Sequence, residues 1–358
     1  MQHKVTQTFL FSPLDWGLGH TTRSIPLLKR IASEGHTIVV ACEPGSASEK
    51  ILKRFFPQAD FLALKGYGIT YAKKQRWFAW KMIRQIPKIM AAIKNEEKQI
   101  AQWCKQYHFD CILSDNRYGF FHKKIKSVFI THQLQIAAPY SFLEKIIQRL
   151  NYRYINRFSE CWVPDFEGEN NLAGKLSHPE KLPGIPVKYI GALSRLKKTE
   201  AEKIYDFLIL LSGPEPQRTI LENEFLKIKN RFTEKVLLVR GLPKEETTPA
   251  STENFTIRNY CDADELSEAI AQSEFVIARS GYSTVMDIFC LQKKAIFIPT
   301  PGQTEQEYLA ETLMDKGFAY AFCQEEKDYC KRIEEGKMFG HKSFDGHELF
   351  ISSDHHSF

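Results

Sequence analysis

Three stretches of this 358-residue chain combine residue types and spacing suited to handling an anionic ligand. The first is Asp15-Trp16-Gly17-Leu18-Gly19-His20-Thr21-Thr22-Arg23. Gly17 and Gly19 allow a tight backbone turn that approaches a ligand closely. A helix opening there presents free N–H groups and the positive end of its dipole to negative charge. His20 falls at that opening, and an imidazole exchanges a proton near neutral pH. On local sequence alone, a catalytic loop and a plain strand-to-helix turn with an incidental histidine fit equally well, because Gly-x-Gly is a weak signal.

The second stretch runs from Phe275 to Asp287 and holds Ala278-Arg279-Ser280-Gly281-Tyr282-Ser283-Thr284. It reads as a strand, a small-residue turn and a helix start. Ser280 to Thr284 would offer backbone N–H groups and hydroxyls to a diphosphate. Asp287, expected on the first helical turn, suits a ribose through hydrogen bonds from both hydroxyls; its structural alternative is a capping box with Thr284 as the cap. The third stretch, Ile298 to Leu309, again follows a strand and opens a helix. Gln306 and Glu307 carry amide and carboxylate groups that bind sugar hydroxyls, or they form a solvated helix start.

The elements that position these residues follow from hydrophobic runs. Thr8–Leu14, Thr37–Ala41, Phe61–Leu64, Cys111–Leu113, Val128–Thr131 and Trp162–Val163 read as buried strands. Helices are expected between them, among them Thr22–Ser33, with Thr21 or Thr22 as N-cap and Gly35 closing it, and Glu49–Phe56. A Pro- and Gly-rich stretch over 181–194 marks a boundary. Strands then resume at Phe207–Leu211, Lys235–Val239, Phe275–Ala278 and Ala295–Ile298. Continuous apolar strands alternating with helices specify parallel sheets covered on both faces. The expected architecture is α/β, with two tandem doubly wound Rossmann-like domains facing across a cleft. The domains are residues 1–190, binding an acceptor, and 191–330, binding a donor, with 331–358 as a polar tail.

Composition narrows the classes. The chain is 43% hydrophobic and 26% charged, which excludes disordered and collagen-like chains. Eight dispersed cysteines, none in a Cys-x-x-Cys pair, argue against a disulfide framework or zinc ribbon and suit a reducing cytoplasm. No leader or membrane-spanning run is legible, so a cytoplasmic protein is expected. Charge is asymmetric: residues 1–160 carry 25 Lys and Arg against 11 acids, and 161–358 carry 24 against 32. Much of the basic excess lies in residues 71–98, interleaved with Trp77, Phe78, Trp80, Ile86 and Met90. Such a pattern suits an interfacial helix on an anionic membrane, or equally a solvated face over core residues. A second basic helix is expected over Phe142–Phe158. Nucleic acid is not expected, since no binding motif accompanies the charge.

Together the three stretches resemble the family 28 glycosyltransferases of GT-B fold. The resemblance is clearest over Asn259–Gly317, where Asn259-Tyr260-Cys261-Asp262, the 278–287 turn and Pro299 to Tyr308 keep the family's order and spacing. It implies that Cys261 meets a uracil through its backbone and Ser280, Gly281, Tyr282, Ser283 and Thr284 cradle the diphosphate. Asp287 replaces a ribose-binding glutamate, and Gln306 reads the donor sugar. Glu307 departs from a second glutamine. Ser212-Gly213 resembles a further donor loop, although Pro214-Glu215-Pro216 does not. Gly17, Gly19 and His20 match the family's glycine loop, whereas Thr21-Thr22-Arg23 departs from its peptidoglycan branch, so a different acceptor is expected.

The resemblance implies sugar transfer from a UDP-sugar, possibly of N-acetylhexosamine type, to a lipid-linked or glycan hydroxyl on the inner membrane face. His20 is the expected base, and no cofactor or metal is called for. Asp115 and Arg117 after one strand, and His132 after another, are acceptor-side candidates or loop residues. Two rival readings keep the donor site: a nucleotide-sugar hydrolase, which Arg23 favours, and a non-catalytic sugar-nucleotide binder.

Overall fold

The computed structural model describes residues 5–15, 18–68, 78–136 and 141–344, without the side chains of 78–83 and 141–143. The described residues divide into two compact units, one of those up to 168 together with 175–193, the other of 169–174 and 194–344. The main division thus falls after Leu193 rather than at 190, and the short segment 169–174 goes with the second unit.

In chain order the first unit contains β1 (Thr8–Pro13), α1 (Gly19–Ser33), β2 (Thr37–Cys42), α2 (Ala47–Phe55), β3 (Asp60–Ala63) and α3 (Phe78–Gln106). It continues with β4 (Cys111–Asp115), β5 (Lys126–Ile130), α4 (Ser141–Ile155), β6 (Glu160–Val163) and β7 (Val187–Tyr189). The described strands form one parallel sheet in the order β3-β2-β1-β4-β5-β6-β7. Parallel strands need cover on both faces, and the apolar runs supply it: Phe9, Leu10 and Phe11 are all buried although they alternate across the sheet. Ile100 and Trp103 of α3 pack on Leu10, Val39 and Ile112, while Ile155 and Phe158 pack on Phe129 and Val163.

The second unit contains β8 (Tyr205–Leu210), α5 (Gln217–Ile228), β9 (Val236–Val239), β10 (Phe255–Arg258), α6 (Ala263–Ala271) and β11 (Ser273–Ala278). It ends with α7 (Tyr282–Cys290), β12 (Lys294–Phe297), α8 (Thr304–Asp315), β13 (Ala319–Ala321) and α9 (Tyr329–Met338). Its described strands are again parallel, in the order β10-β9-β8-β11-β12-β13. Phe207, Ile209, Leu238, Ile277 and Ile296 form its core with Phe225 of α5 and Tyr329 and Ile333 of α9.

Several local expectations are corrected. Helix α1 opens at Gly19, not Thr22, and Leu18 in its N-cap position makes no side-chain cap bond. The threonines lie inside the first turn, where Thr21 donates to Ser48 Oγ (2.7 Å) and Thr22 to Gly19 O (3.3 Å). Gly35 does follow the helix end, at φ 85°. Strands β7, β10 and β13, of three or four residues, are not among the expected strands. Residues 331–344, expected within a polar tail, are folded. Tyr329, Ile333 and Gly336 line the buried stripe of α9, and the Phe344 ring packs on Phe289 and Phe318 at 5.4 and 5.3 Å. The remainder of that tail, from 345, lies outside the described residues, as do Trp16, Gly17 and 69–77.

Candidate active site

In the first unit, β1 and β4 are neighbours, yet the chain leaves β1 toward β2 on one side and returns through β4 on the other. Loops diverge at such a switch point, which is where ligands bind in doubly wound sheets. The register pairs Pro13 with Asp115, so both strands end level. Asp115 is completely buried, and four donors converge on it. Arg23 Nε reaches Oδ2 at 3.0 Å and its Nη2 holds Oδ1. Ser24 Oγ donates to Oδ2 at 2.9 Å, and His20 Nδ1 stands 3.0 Å from Oδ1. Arg23 Nη1 donates to His132 Nδ1 at 2.9 Å, and Nη2 also stands 2.9 Å from His20 Nδ1. Helical spacing explains half of this: His20, Arg23 and Ser24 sit at i, i+3 and i+4 on one face of α1.

The electrostatics follow from burial and this pairing. Burial lowers the basicity of His20 and Arg23 lowers it further, while Asp115 opposes both. Burial alone would raise the Asp115 pKa, but Arg23 and His20 outweigh it and hold the carboxyl well below the usual carboxylate range. The centre is therefore an ionised Asp115, a charged Arg23 and a neutral His20. Arg117, expected among acceptor residues, is turned elsewhere. Asn116 adopts φ 62°, and Arg117 is buried with Nε 2.7 Å from Glu96 Oε1 and Nη2 2.9 Å from Lys65 O. Glu96 also accepts from Tyr67 Oη (2.9 Å) and Gly119 N (3.0 Å), so Arg117 serves to anchor α3.

In the second unit the switch point lies between β8 and β11. Helices α5, α7 and α8 follow β8, β11 and β12, three adjacent strands. None carries a side-chain cap: their N-cap positions hold Pro216, Gly281 and Gln303. By contrast α6 and α9, which follow the edge strands, are capped by Asp262 and Asp328, as α2 is by Ser46. Uncapped first turns leave N–H groups for an anion. Beneath them Arg279 is buried and donates to Ile298 O (2.9 Å), Pro299 O (3.0 Å), Gln217 O (2.9 Å) and Gln324 Oε1. All four acceptors are neutral and its Nε has no partner. Burial pulls its pKa down to about 10, which leaves it charged at neutral pH. Among the described residues Arg279 makes no ion pair, and three helices start near the strand ends it follows, although the α5 start already has its Thr219 N–H bonded to Glu215 Oε2 at 3.3 Å.

The residues expected to bind a donor are placed as follows. Gly213 takes φ 103°, a conformation that favours glycine, just after β8. Gly281 is the N-cap of α7, Tyr282 is buried, and Ser283 and Thr284 are partly exposed. The Ser280 hydroxyl is engaged, donating to Gln306 O at 2.7 Å. Thr284 is not a cap, because α7 opens two residues before it. Asp287 accordingly lies on the second turn, where it accepts from Ser194 Oγ. Burial raises its pKa to about 6, against the opposing effects of Ser194 and Arg195. The Gln306 amide accepts from Thr300 N (2.9 Å) and donates to Gln303 Oε1 (2.5 Å), and Glu307 accepts from Gly302 N (2.7 Å). Cys261 is buried immediately before the Asp262 cap, and burial raises its thiol pKa, leaving a protonated, inert side chain.

Sequence reasoning missed Ser194, Arg279 and Glu96. Only Arg279 left a signal, as an arginine closing an otherwise apolar strand.

Two parallel doubly wound units in tandem are the architecture of GT-B glycosyltransferases. Solved structures agree on this fold across most of the chain. The glycotransferase of kitacinnamycin gives a TM-score of 0.68 at 11% identity, covering 94% of this chain and 91% of that one. Acinetobacter baumannii MurG gives 0.59 at 14%, covering 93% and 90%. Residues 216–336, within the second unit, match the family described as "Glycosyltransferase family 28 C-terminal domain". The chain is also similar to two enzymes named UDP-N-acetylglucosamine--N-acetylmuramyl-(pentapeptide) pyrophosphoryl-undecaprenol N-acetylglucosamine transferase. That of Sulfurihydrogenibium sp. (strain YO3AOP1) is 34% identical over 155 residues, 42% of this chain and 43% of the relative. That of Acidiphilium cryptum (strain JF-5) is 25% identical over 188 residues, 48% of each. The chain thus spans less than half the length of these curated relatives.

Proposed function

We propose that the protein is a glycosyltransferase that moves a hexosyl group, of N-acetylhexosamine type, from a UDP-sugar to a hydroxyl of a lipid-linked or glycan acceptor. The observation that carries this reading is the convergence of three uncapped helix ends over Arg279, inside the segment that matches the family 28 C-terminal domain. Such a point holds a diphosphate and stabilises the charge it gains as it leaves. Asp287 is positioned on α7 to accept from ribose hydroxyls, with Gln306 and Glu307 toward the sugar and Cys261 toward the uracil. Helix ends and a fixed guanidinium supply the positive charge, so we assign a metal-independent reaction.

His20 takes the proton from the acceptor hydroxyl. Asp115 orients its ring by accepting from Nδ1, which leaves the Nε2 lone pair as the base. A single displacement at the anomeric carbon inverts its configuration. Gly17 and Gly19 shape the loop before the base, and His132 lines the same cluster. Arg23 and the two threonines before it differ from the peptidoglycan branch, so we assign an acceptor other than its lipid.

We further assign a peripheral position on the cytoplasmic membrane face. Among the described residues no helix is long and apolar enough to cross a membrane. Ile86 and Met90 of α3 and Ile146 and Leu150 of α4 are exposed, and Tyr154 Oη lies 3.1 Å from Met90 Sδ. Exposed Arg84, Lys88, Lys145, Arg149 and Arg153 border them. Apolar side chains ringed by cations suit an anionic bilayer surface.

The first test is a melting experiment with UDP, GDP, dTDP and ADP, with and without magnesium. Ligand at 100 times its Kd stabilises by about 2.7 kcal/mol. A UDP-selective shift that chelator leaves unchanged is expected, followed by sugar transfer from a UDP-sugar to added acceptor. No shift with any nucleotide defeats the reading, and release of free sugar at full rate without acceptor replaces it with hydrolysis.

A further inference from the structure

We propose that Arg23 sets the proton state of both histidines at the first unit's switch point, fixing His132 as its Nε2–H tautomer and competing with His20 for Asp115, so that His20 meets the acceptor as a neutral base. The reaction named here rests on the transferase reading above; the proton control rests on geometry.

A guanidinium keeps its protons at any working pH, so it can only donate, and its contact to a ring nitrogen is a hydrogen bond only where that nitrogen carries no proton. Nη1 stands 2.9 Å from His132 Nδ1, and that nitrogen must offer its lone pair. His132 then carries its proton on Nε2, and a second proton on Nδ1 would face a cation. His20 Nδ1 stands 2.9 Å from Arg23 Nη2 and 3.0 Å from Asp115 Oδ1. With a proton there it donates to Asp115; without one it accepts from Arg23.

In a simple histidine–carboxylate pair the full negative charge favours imidazolium. Here Asp115 is already bound on both oxygens by Arg23 and on one by Ser24. The charged and titratable groups facing His20 are Arg23 on its own helix, Asp115 at the end of β4 and His132 after β5. Burial of the ring is the largest effect and disfavours charge, Arg23 adds to it, and Asp115 opposes both. The consequence is a base that stays unprotonated at a pH where a free imidazole is half charged, at the cost of a weaker pull on the acceptor proton.

The test uses the full chain with Arg23→Gln and nitrogen-15 histidine NMR titration, which needs no substrate. The His20 midpoint is expected to rise by about one pH unit or more, since Asp115 then acts on it alone. The acid limb of kcat/KM should move with it, so the variant loses about tenfold more activity near pH 6 than near pH 8. A role in folding alone would lower the rate equally at every pH. A His20 midpoint that stays put or falls overturns the proposal. If Arg23→Gln does not fold, Arg23→Lys retains the charge without the fork. The His20 midpoint should then stay low while the His132 nitrogen-15 shifts lose the pure Nε2–H signature, and a rise at His20, or an unchanged His132 tautomer, overturns it. A shifted midpoint with no transfer to any acceptor leaves the proton control standing and removes the transferase reading. Transfer with an unshifted midpoint does the reverse.

Discussion

The two switch points handle charge in opposite ways. In the first unit the charges are matched: Asp115 is buried with Arg23 bound to both oxygens, and only a neutral imidazole is left over. In the second unit the charge is unmatched: Arg279 is buried among carbonyl oxygens, under three helix ends that add positive potential of their own. A matched pair sets the basicity of a neighbour while attracting little itself. An unmatched cation costs stability and is retained where an anion will arrive. The contrast is the physical ground, apart from sequence likeness, for proposing proton transfer in the first unit and anion binding in the second.

The contrast can be broken most severely at Asp115. Asp115→Ala leaves Arg23 buried without a counter-ion, a loss of about 3–5 kcal/mol. Urea unfolding of the full chain should show it, and an unchanged midpoint would mean that the pairing is not what holds the site. His20→Ala should lower transfer by about 10²–10⁴-fold while calorimetric affinity for UDP stays the same, since base and donor residues belong to different units. Weakened UDP binding in that variant would blur the assignment. Arg279→Met should lower UDP affinity by about tenfold, equivalent to ~1.4 kcal/mol, and a sulfate or phosphate titration should fall in parallel.

Asp287 gives the smallest effect and a definite sign. Its folded pKa of about 6 lies above the roughly 3.9 of an unfolded aspartate. Ionising it therefore costs the fold above pH 6, and the cost disappears as pH falls from 6 toward 4. Asp287→Asn should stabilise the nucleotide-free protein at pH 8 by about 1 kcal/mol, with no gain near pH 4, while weakening UDP binding. Equal melting gains at both pH values would show that burial of the charge is not the cause.

Much of this arrangement was legible in the residues. Apolar β-branched runs gave most strands, and the Gly-rich turns after them marked helix openings, because small residues are a local feature; the missing caps were not legible, since Thr21, Thr22 and Thr284 all had the composition of caps. The pairing of Arg23 with Asp115 was not, since its members lie 92 positions apart and only the strand order joins them. Asp115 and His132 stood out as polar strand ends, yet Arg117, equally polar and two positions on, turns the other way because Asn116 takes a left-handed conformation. Ser194 reaches Asp287 from 93 positions away and left no trace. Helix α9 was hidden by its composition, since Tyr329, Ile333 and Gly336 hold its buried face amid ten mostly polar residues.

The anchor of α3 has a mechanical meaning. A helix held only by apolar contacts slides a fraction of a turn at little cost. Here Glu96 makes three directed bonds, to Arg117, Tyr67 and the Gly119 amide. A Cβ on Gly119 would stand 2.3 Å from Ile93 O, so there is no slack in that fit. Arg117 lies two residues beyond Asp115, and the turn between them is rigid. Glu96 of α3 is thereby tied through Arg117 to the turn that follows Asp115 at the end of β4.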